Sequence, residues 1–119
     1  MQLARPYQQQ PWATSVALAA VDATKELKAA PGAGKALVLT KWYYRSTTSA
    51  AQAITLGDGT IVADVLPASI TAGVVHEGPN LEIGIQLTTN TALSATPASA
   101  GPAGRWIVEG YIVDVDASS

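Results

Sequence analysis

The run Lys35–Arg45, KALVLTKWYYR, constrains the fold more than any other stretch. It is dense in β-branched and aromatic residues, and apolar side chains occur at both odd and even positions. Successive side chains on a strand point to opposite faces, so a strand of this kind needs cover on both sides. Leu37, Leu39 and Tyr43 share one face, and Val38, Trp42 and Tyr44 lean towards it or pack on the other. Residues 105–115, RWIVEGYIVDV, repeat the pattern: Trp106, Val108 and Ile112 fall on one face and Ile107, Tyr111, Val113 and Val115 on the other. Leu81–Thr89 alternates, with Leu81, Ile83, Ile85 and Leu87 expected inward.

Glycine and proline divide these runs. Gly57-Asp58-Gly59 between AITL and TIVADV predicts a hairpin loop. Pro31-Gly32-Ala33-Gly34 predicts a second hairpin, joining Val21–Ala30 to the Lys35 run, with a helix over Val21–Ala30 as the lesser reading because its composition favours one. Gly78-Pro79-Asn80 and Pro97–Gly104 are further breaks. Short strands spaced by such turns predict an all-β chain, an antiparallel β-sandwich or barrel over residues 15–119. Residues 1–14 read differently. Pro6 and Pro11 bracket three glutamines, with Tyr7 and Trp12 among them, which predicts an extended N-terminal arm. A secretory signal is not expected, since the segment ahead of the short apolar stretch Ser15–Val21 is long and Gln/Pro-rich.

The 119 residues suffice for one domain. Only 13% are charged, about half the share in an average soluble domain, and the mean hydropathy is +0.20. So sparse a charge points to a surface covered in part by other chains. A net charge of −2 argues against nucleic acid as a partner. No apolar run approaches the ~20 residues of a membrane span. The charges segregate. Residues 1–50 hold six basic and two acidic side chains, and residues 51–119 hold one basic, Arg105, and seven acidic. Complementary faces can steer association, although a sandwich that interleaves the two halves would cancel the asymmetry.

Catalytic vocabulary is thin. There is no cysteine. Gly32-Ala33-Gly34-Lys35 lacks the upstream glycine and the following Ser or Thr of a phosphate loop. His76 is the sole histidine, and its sequence neighbour Glu77 would point to the opposite face of a strand. Asp114 with Asp116, and Asp58 with Asp64, offer too few oxygens for a Ca²⁺ site. No catalytic, cofactor or metal residues are therefore expected, and the chain is not expected to be an enzyme. A small enzyme built on His76 is the last-ranked rival. Interface residues are a different matter. Trp, Tyr and Arg dominate binding hot spots, which singles out Arg5, Pro6, Tyr7 and Trp12 in the arm, and Trp42, Tyr44, Arg45 and Trp106 in the strands. Core filling is the competing reading for the aromatics, because the chain has no Phe.

The segments ATKELKAAPGAGKALVLTKWYYRS, AQAITLGDGT, NLEIGIQLTTNTALSATPASAG and RWIVEGYIV, spread over about residues 15–115, resemble small β-rich structural proteins of tailed bacteriophages. The likeness is greatest to the head decoration, or cement, proteins. It lies in an Ala-Gly-Lys turn feeding a hydrophobic strand, a glycine hairpin, the Leu87–Leu93 segment and a closing Gly110-Tyr111 strand, and it does not extend to the arm. The resemblance implies a commonly trimeric jelly-roll-like sandwich that binds the major capsid protein lattice and stabilises it, on the capsid surface of a virion. It implies no catalytic residues. Lack of cysteine fits assembly in a reducing bacterial host cytoplasm. The alternative within the same class is a receptor- or glycan-binding module of a tail fibre or tail tip, with Trp42 or Tyr44 stacked on sugar.

Overall fold

The computed structural model describes residues 10–68 and 70–115. These form an all-β sandwich of nine strands with no helix among the described residues: β1 (Gln10–Leu18), β2 (Lys25–Lys28), β3 (Lys35–Ser46), β4 (Ile54–Gly57), β5 (Val62–Leu66), β6 (Val75–Glu77), β7 (Ile85–Gln86), β8 (Leu93–Pro97) and β9 (Gly104–Asp114). One sheet has the order β1-β9-β3-β6, with β7 also on β3, and the other has the order β2-β8-β4-β5. Every pairing is antiparallel.

The pairings nest. β1 lies on β9, β2 on β8, β3 on β6 and β7, and β4 on β5. The first half of the chain thus runs antiparallel to the second as one long ribbon about the β4–β5 hairpin. Folding that ribbon over, with β3 on β9 and β4 on β8, closes the two sheets. Such a wrapped order is what a jelly-roll-like sandwich requires.

The expected β2–β3 hairpin is not formed. β2 is a strand, but it pairs with β8 in the opposite sheet, and the Gly32–Gly34 turn carries the chain across. Gly32 and Gly34 hold φ of +114° and +74°, the left-handed region that glycine enters cheaply. The turn is tied by Lys35 N donating to Gly32 O and by Gly32 N donating to Asn90 Oδ1. The lone Leu27, buried by a bulge between Glu26 and Lys28, commits β2 to the core from the other side. The arm boundary also moves. Gln10–Thr14, expected in the arm, are the first half of β1 and pair with Glu109–Ile112 and Val108 of β9.

Strict alternation fails in β3 for an identifiable reason. A bulge between Leu39 and Lys41 leaves Thr40 without a partner in β9 and reverses the parity of the strand. Leu37 and Leu39 point into the core before it, and Trp42, Tyr44 and Ser46 after it. From β9, Trp106, Val108 and the half-buried Ile112 meet them, and Ile54, Leu56, Leu93 and Ala95 complete the core from the second sheet. Each fully buried large side chain contributes roughly 1.5–3 kcal/mol before chain entropy is counted.

The expected Leu81–Thr89 strand shrinks to Ile85–Gln86. Residues 78–84 leave the line of β6 and β7 and loop out. Gly78 N still bonds Trp42 O, and Leu81 N bonds Thr40 O. Gly84, at φ +98°, crosses so close to β3 that a Cβ would lie 2.6 Å from Val38 Cγ1 and 2.7 Å from Leu39 O. The excursion is fastened by the Tyr111 hydroxyl, which donates to Ile83 O at 2.7 Å. Ile83 itself, expected inward, is 80% exposed.

Candidate functional site

Three of the proposed interface aromatics are core residues. Trp42, Tyr44 and Trp106 are at most 1% exposed, because the Thr40 bulge turns Trp42 and Tyr44 inward and Trp106 faces Tyr44 across the ladder. The Tyr44 and Trp106 rings lie 5.0 Å apart at 42°. Trp42 Nε1 donates to Asp64 Oδ2 at 2.9 Å, linking the two sheets. Burial pushes the Tyr44 phenol pKa up. Its Oη lacks a hydrogen bond, as does Trp106 Nε1, and the Ser46 hydroxyl donates to Thr48 O. None of the three offers a stacking face to solvent.

Trp12 is half-buried on β1. Its ring lies over Gly110, where an added Cβ would stand 2.9 Å from Trp12 Cζ2, and Lys28 Nζ sits 5.8 Å from its centroid. Arg45 is exposed. Arg5, Pro6 and Tyr7 lie outside the described residues.

The other polar residues singled out in the sequence build the scaffold. Asp58 Oδ1 accepts from Thr60 N at 2.8 Å and Ile61 N at 2.6 Å within the β4–β5 loop, and its Oδ2 accepts from Thr88 N at 2.7 Å. Burial alone would raise its pKa, but the N–H groups of Ile61, Thr88 and Thr60 outweigh burial and bring it below the ordinary carboxylate value. Asp64 faces inward to Trp42. His76 lies beside Tyr44, ring centroids 6.5 Å apart, with Nε2 buried and unbonded. Asp114 stands opposite Lys35, and Asp116 is outside the described residues. No cluster of three or more His, Asp or Glu able to hold a metal occurs among the described residues.

What the sandwich presents is its two outer faces. On the four-stranded sheet an open groove of about 440 Å³ is lined by hydroxyls, including Thr24, Thr55, Ser94 and Thr96, beside Val62. On the outer side of the other sheet, residues of β3 and β9 fall in register: Ala36 with Val113 and Val38 with Tyr111, where Ala36 and Val38 are buried and residues 83–84 lie against Val38 and Tyr111, then Lys41 with Glu109, Tyr43 with Ile107, and Arg45 with Arg105. β1 extends this face with the small residues Ala13, Ser15 and Ala17. Tyr43, Ile107, Tyr111 and Val113 are half-buried there, and Lys41, Glu109, Arg45 and Arg105 are exposed.

Register also settles where the segregated charges go. β9 brings two acidic residues of the second half against the basic β3, Asp114 opposite Lys35 and Glu109 opposite Lys41, so part of the asymmetry is interleaved. Arg105, opposite Arg45, is the exception. The sequence reading named its neighbour Trp106. Alternation was the available signal, since an inward Trp106 makes Arg105 outward.

No protein-family description matches this chain, and no curated protein matches it. Among solved structures, a chain of the Cyanophage Pam1 capsid asymmetric unit aligns over 88% of this chain and 84% of its own length, with 13% identity and a TM-score of 0.46. That level of likeness is too low to carry a functional conclusion.

Proposed function

We propose that this chain is a structural protein of a tailed-phage virion, a decoration protein that binds the major capsid protein lattice and stabilises it as a homo-oligomer, with a trimer as the expected form. The observation that carries the reading is the outer face of the β1-β9-β3 sheet, which is edged with small residues and sets exposed Lys41, Glu109, Arg45 and Arg105 around half-buried Tyr43 and Ile107. The sequence resemblance supports it, and so does the use of the chain's polar side chains to fasten loops and sheets. Attachment is adhesive. Many copies on one lattice gain avidity, so each contact can be modest. The glycan-binding alternative needed Trp42 or Tyr44 at the surface, and both are in the core.

Arg5, Pro6 and Tyr7 are proposed to clamp a neighbouring subunit on the particle. Since β1 begins at Gln10, the informative truncation removes residues 1–9 and spares the pairing with β9. The truncated protein is expected to keep the far-UV circular dichroism of the full chain and to occupy heads less fully. Full occupancy after truncation would eliminate the clamp. The reading as a whole is tested by immunogold electron microscopy of source particles with antibody to this chain. Label over the head is the expected result, whereas label confined to the tail, or none, refutes decoration.

A further inference from the structure

We infer that Arg45 and Arg105 together form the charge-reading point of this docking face, a paired guanidinium site for carboxylates on an acidic surface of a partner protein. The inference rests on the virion reading and names the chemistry its partner must offer. The starting observation is an anomaly in the β3–β9 ladder, where Lys35 meets Asp114 and Lys41 meets Glu109 but Arg45 stands directly opposite Arg105. Side chains so placed have Cβ atoms about 5 Å apart, and like charges there destabilise a sheet. Their other cross-strand neighbours bring no relief. Arg45 is flanked by Val75 and Arg105 by Ala17. The nearest carboxylate in register, Glu77, is opposite Tyr43, one diagonal step away.

Both arginines are exposed, so the pair is not held by burial. Arg105 is pre-oriented, because its Nη1 donates to Ser15 Oγ at 2.8 Å, which leaves the rest of its fork free to take a carboxylate edge-on. Apolar contact lies alongside. Val75, opposite Arg45, is 44% exposed, and Tyr43 and Ile107 occupy the next register position. Two guanidiniums bordered by apolar side chains on a flat sheet make a combination suited to a protein surface. In a chain of net charge −2 they do not make the extended basic stripe that a nucleic-acid backbone requires. Carboxylates from a partner convert the repulsion of the free chain into two charge-assisted contacts in the complex.

The test measures binding of purified full-length protein to heads prepared without it, for wild type, Arg45→Glu, Arg105→Glu, Arg45→Thr and Lys25→Glu, the last on β2 of the other sheet. The expected result is a loss of roughly tenfold or more for each Arg→Glu variant, wild-type affinity that falls with added salt, and a much smaller loss for Lys25→Glu, which changes net charge equally. Arg45→Thr is expected to weaken attachment while raising the urea midpoint of the free protein, a pairing of effects that a structural arginine does not produce. Wild-type binding with unchanged affinity in both Arg→Glu variants overturns this inference and leaves decoration standing. Equal loss in Lys25→Glu overturns it also, as does a wild-type oligomer that Arg45→Glu dissociates in sedimentation, since the occupant is then a second copy. Wild type that fails to bind heads removes the virion reading, and the inference with it. As a defined probe, poly-L-glutamate is expected to shift the Arg45 and Arg105 Nε resonances, and an equal response to inorganic phosphate refutes carboxylate selectivity.

Discussion

Removing the hydrogen bond between Trp42 and Asp64 tests whether the two sheets are fastened by a specific polar link or by apolar contact alone. Asp64 lies on the inner side of β5, opposite Leu56. Its Oδ1 is engaged by Val65 N at 2.8 Å and its Oδ2 by Trp42 Nε1 at 2.9 Å. In Asp64→Ala the indole N–H, on a side chain only 1% exposed, loses its acceptor. An orphaned buried donor costs about 1–3 kcal/mol. Trp42→Phe keeps most of the ring but strips the donor, at about 1.5–3 kcal/mol for a bond to a charged acceptor, plus the lost ring volume. Against a total stability of about 5–15 kcal/mol either change is large. Asp64→Ala is expected to lower the melting temperature by roughly 5–15 °C. The decisive quantity is the coupling. With both partners gone, the double variant is expected to be about 1–2 kcal/mol more stable than the summed single effects imply. Urea unfolding followed by far-UV circular dichroism is the appropriate assay, because Trp42→Phe removes a fluorophore. Additivity within about 0.5 kcal/mol would refute a role for the bond.

Three further outcomes follow from the same geometry. Asp58 has a folded pKa below its unfolded value, so its contribution is complete above about pH 4 and is lost as pH falls through the folded pKa; the melting-temperature gap between wild type and Asp58→Asn should narrow below pH 4, and a gap constant from pH 2 to 6 would contradict the assignment. Gly110→Ala places a methyl against Val38 O and the Trp12 ring, and should cost about 1–3 kcal/mol in urea unfolding, with an unchanged midpoint counting against the close packing. Ile83→Thr should change stability by less than about 0.5 kcal/mol, whereas Ile85→Thr, packed on the core, should cost more than 1 kcal/mol; equal effects would show that the 78–84 excursion does not leave Ile83 in solvent.

The contrast within Leu81–Thr89 shows where sequence pattern stops being informative. Its alternation is as clean as that of any strand here, yet only Ile85–Gln86 pair with β3. Alternation reports which residues would share a face if the backbone ran straight. It does not report the Gly84 crossing, which depends on Cγ1 of Val38 and the carbonyl of Leu39 from a strand over forty residues earlier. The β4–β5 hairpin, by contrast, was legible because its determinants are local: Gly59 at φ +94° and Asp58 capping the loop it sits in. The two-sided runs of β3 and β9 were legible as strands for the same reason. β2 was legible as a strand but not in its partner, since a loop of six residues spans a hairpin or a crossing between sheets equally well. Of the interface candidates, Arg45 is exposed and Trp42, Tyr44 and Trp106 follow the competing core-filling reading, while Arg105 was not singled out.

The inward placement of Trp42 and Tyr44 shares one origin with the surface that carries the proposed function. Without a bulge, the face of β3 that holds Leu37 and Leu39 would also hold Lys41, Tyr43 and Arg45, burying two cations without counter-charges at a cost of several kcal/mol each, while Trp42 and Tyr44 faced water. Slipping one residue at Thr40 resolves both conflicts at once. Thr40 leaves the ladder, its Oγ1 donating to Glu109 O at 3.3 Å, and the register with β9 resumes at Lys41. Aromatics then enter the core and cations reach solvent. The same slip aligns Arg45 with Arg105, so the local repulsion between them is a consequence of the solution that best buries Trp42 and Tyr44. A strand solving only its own burial problem could relieve that repulsion with a threonine at either position. That two arginines stand there instead is the feature of this face that a partner rich in carboxylates accounts for.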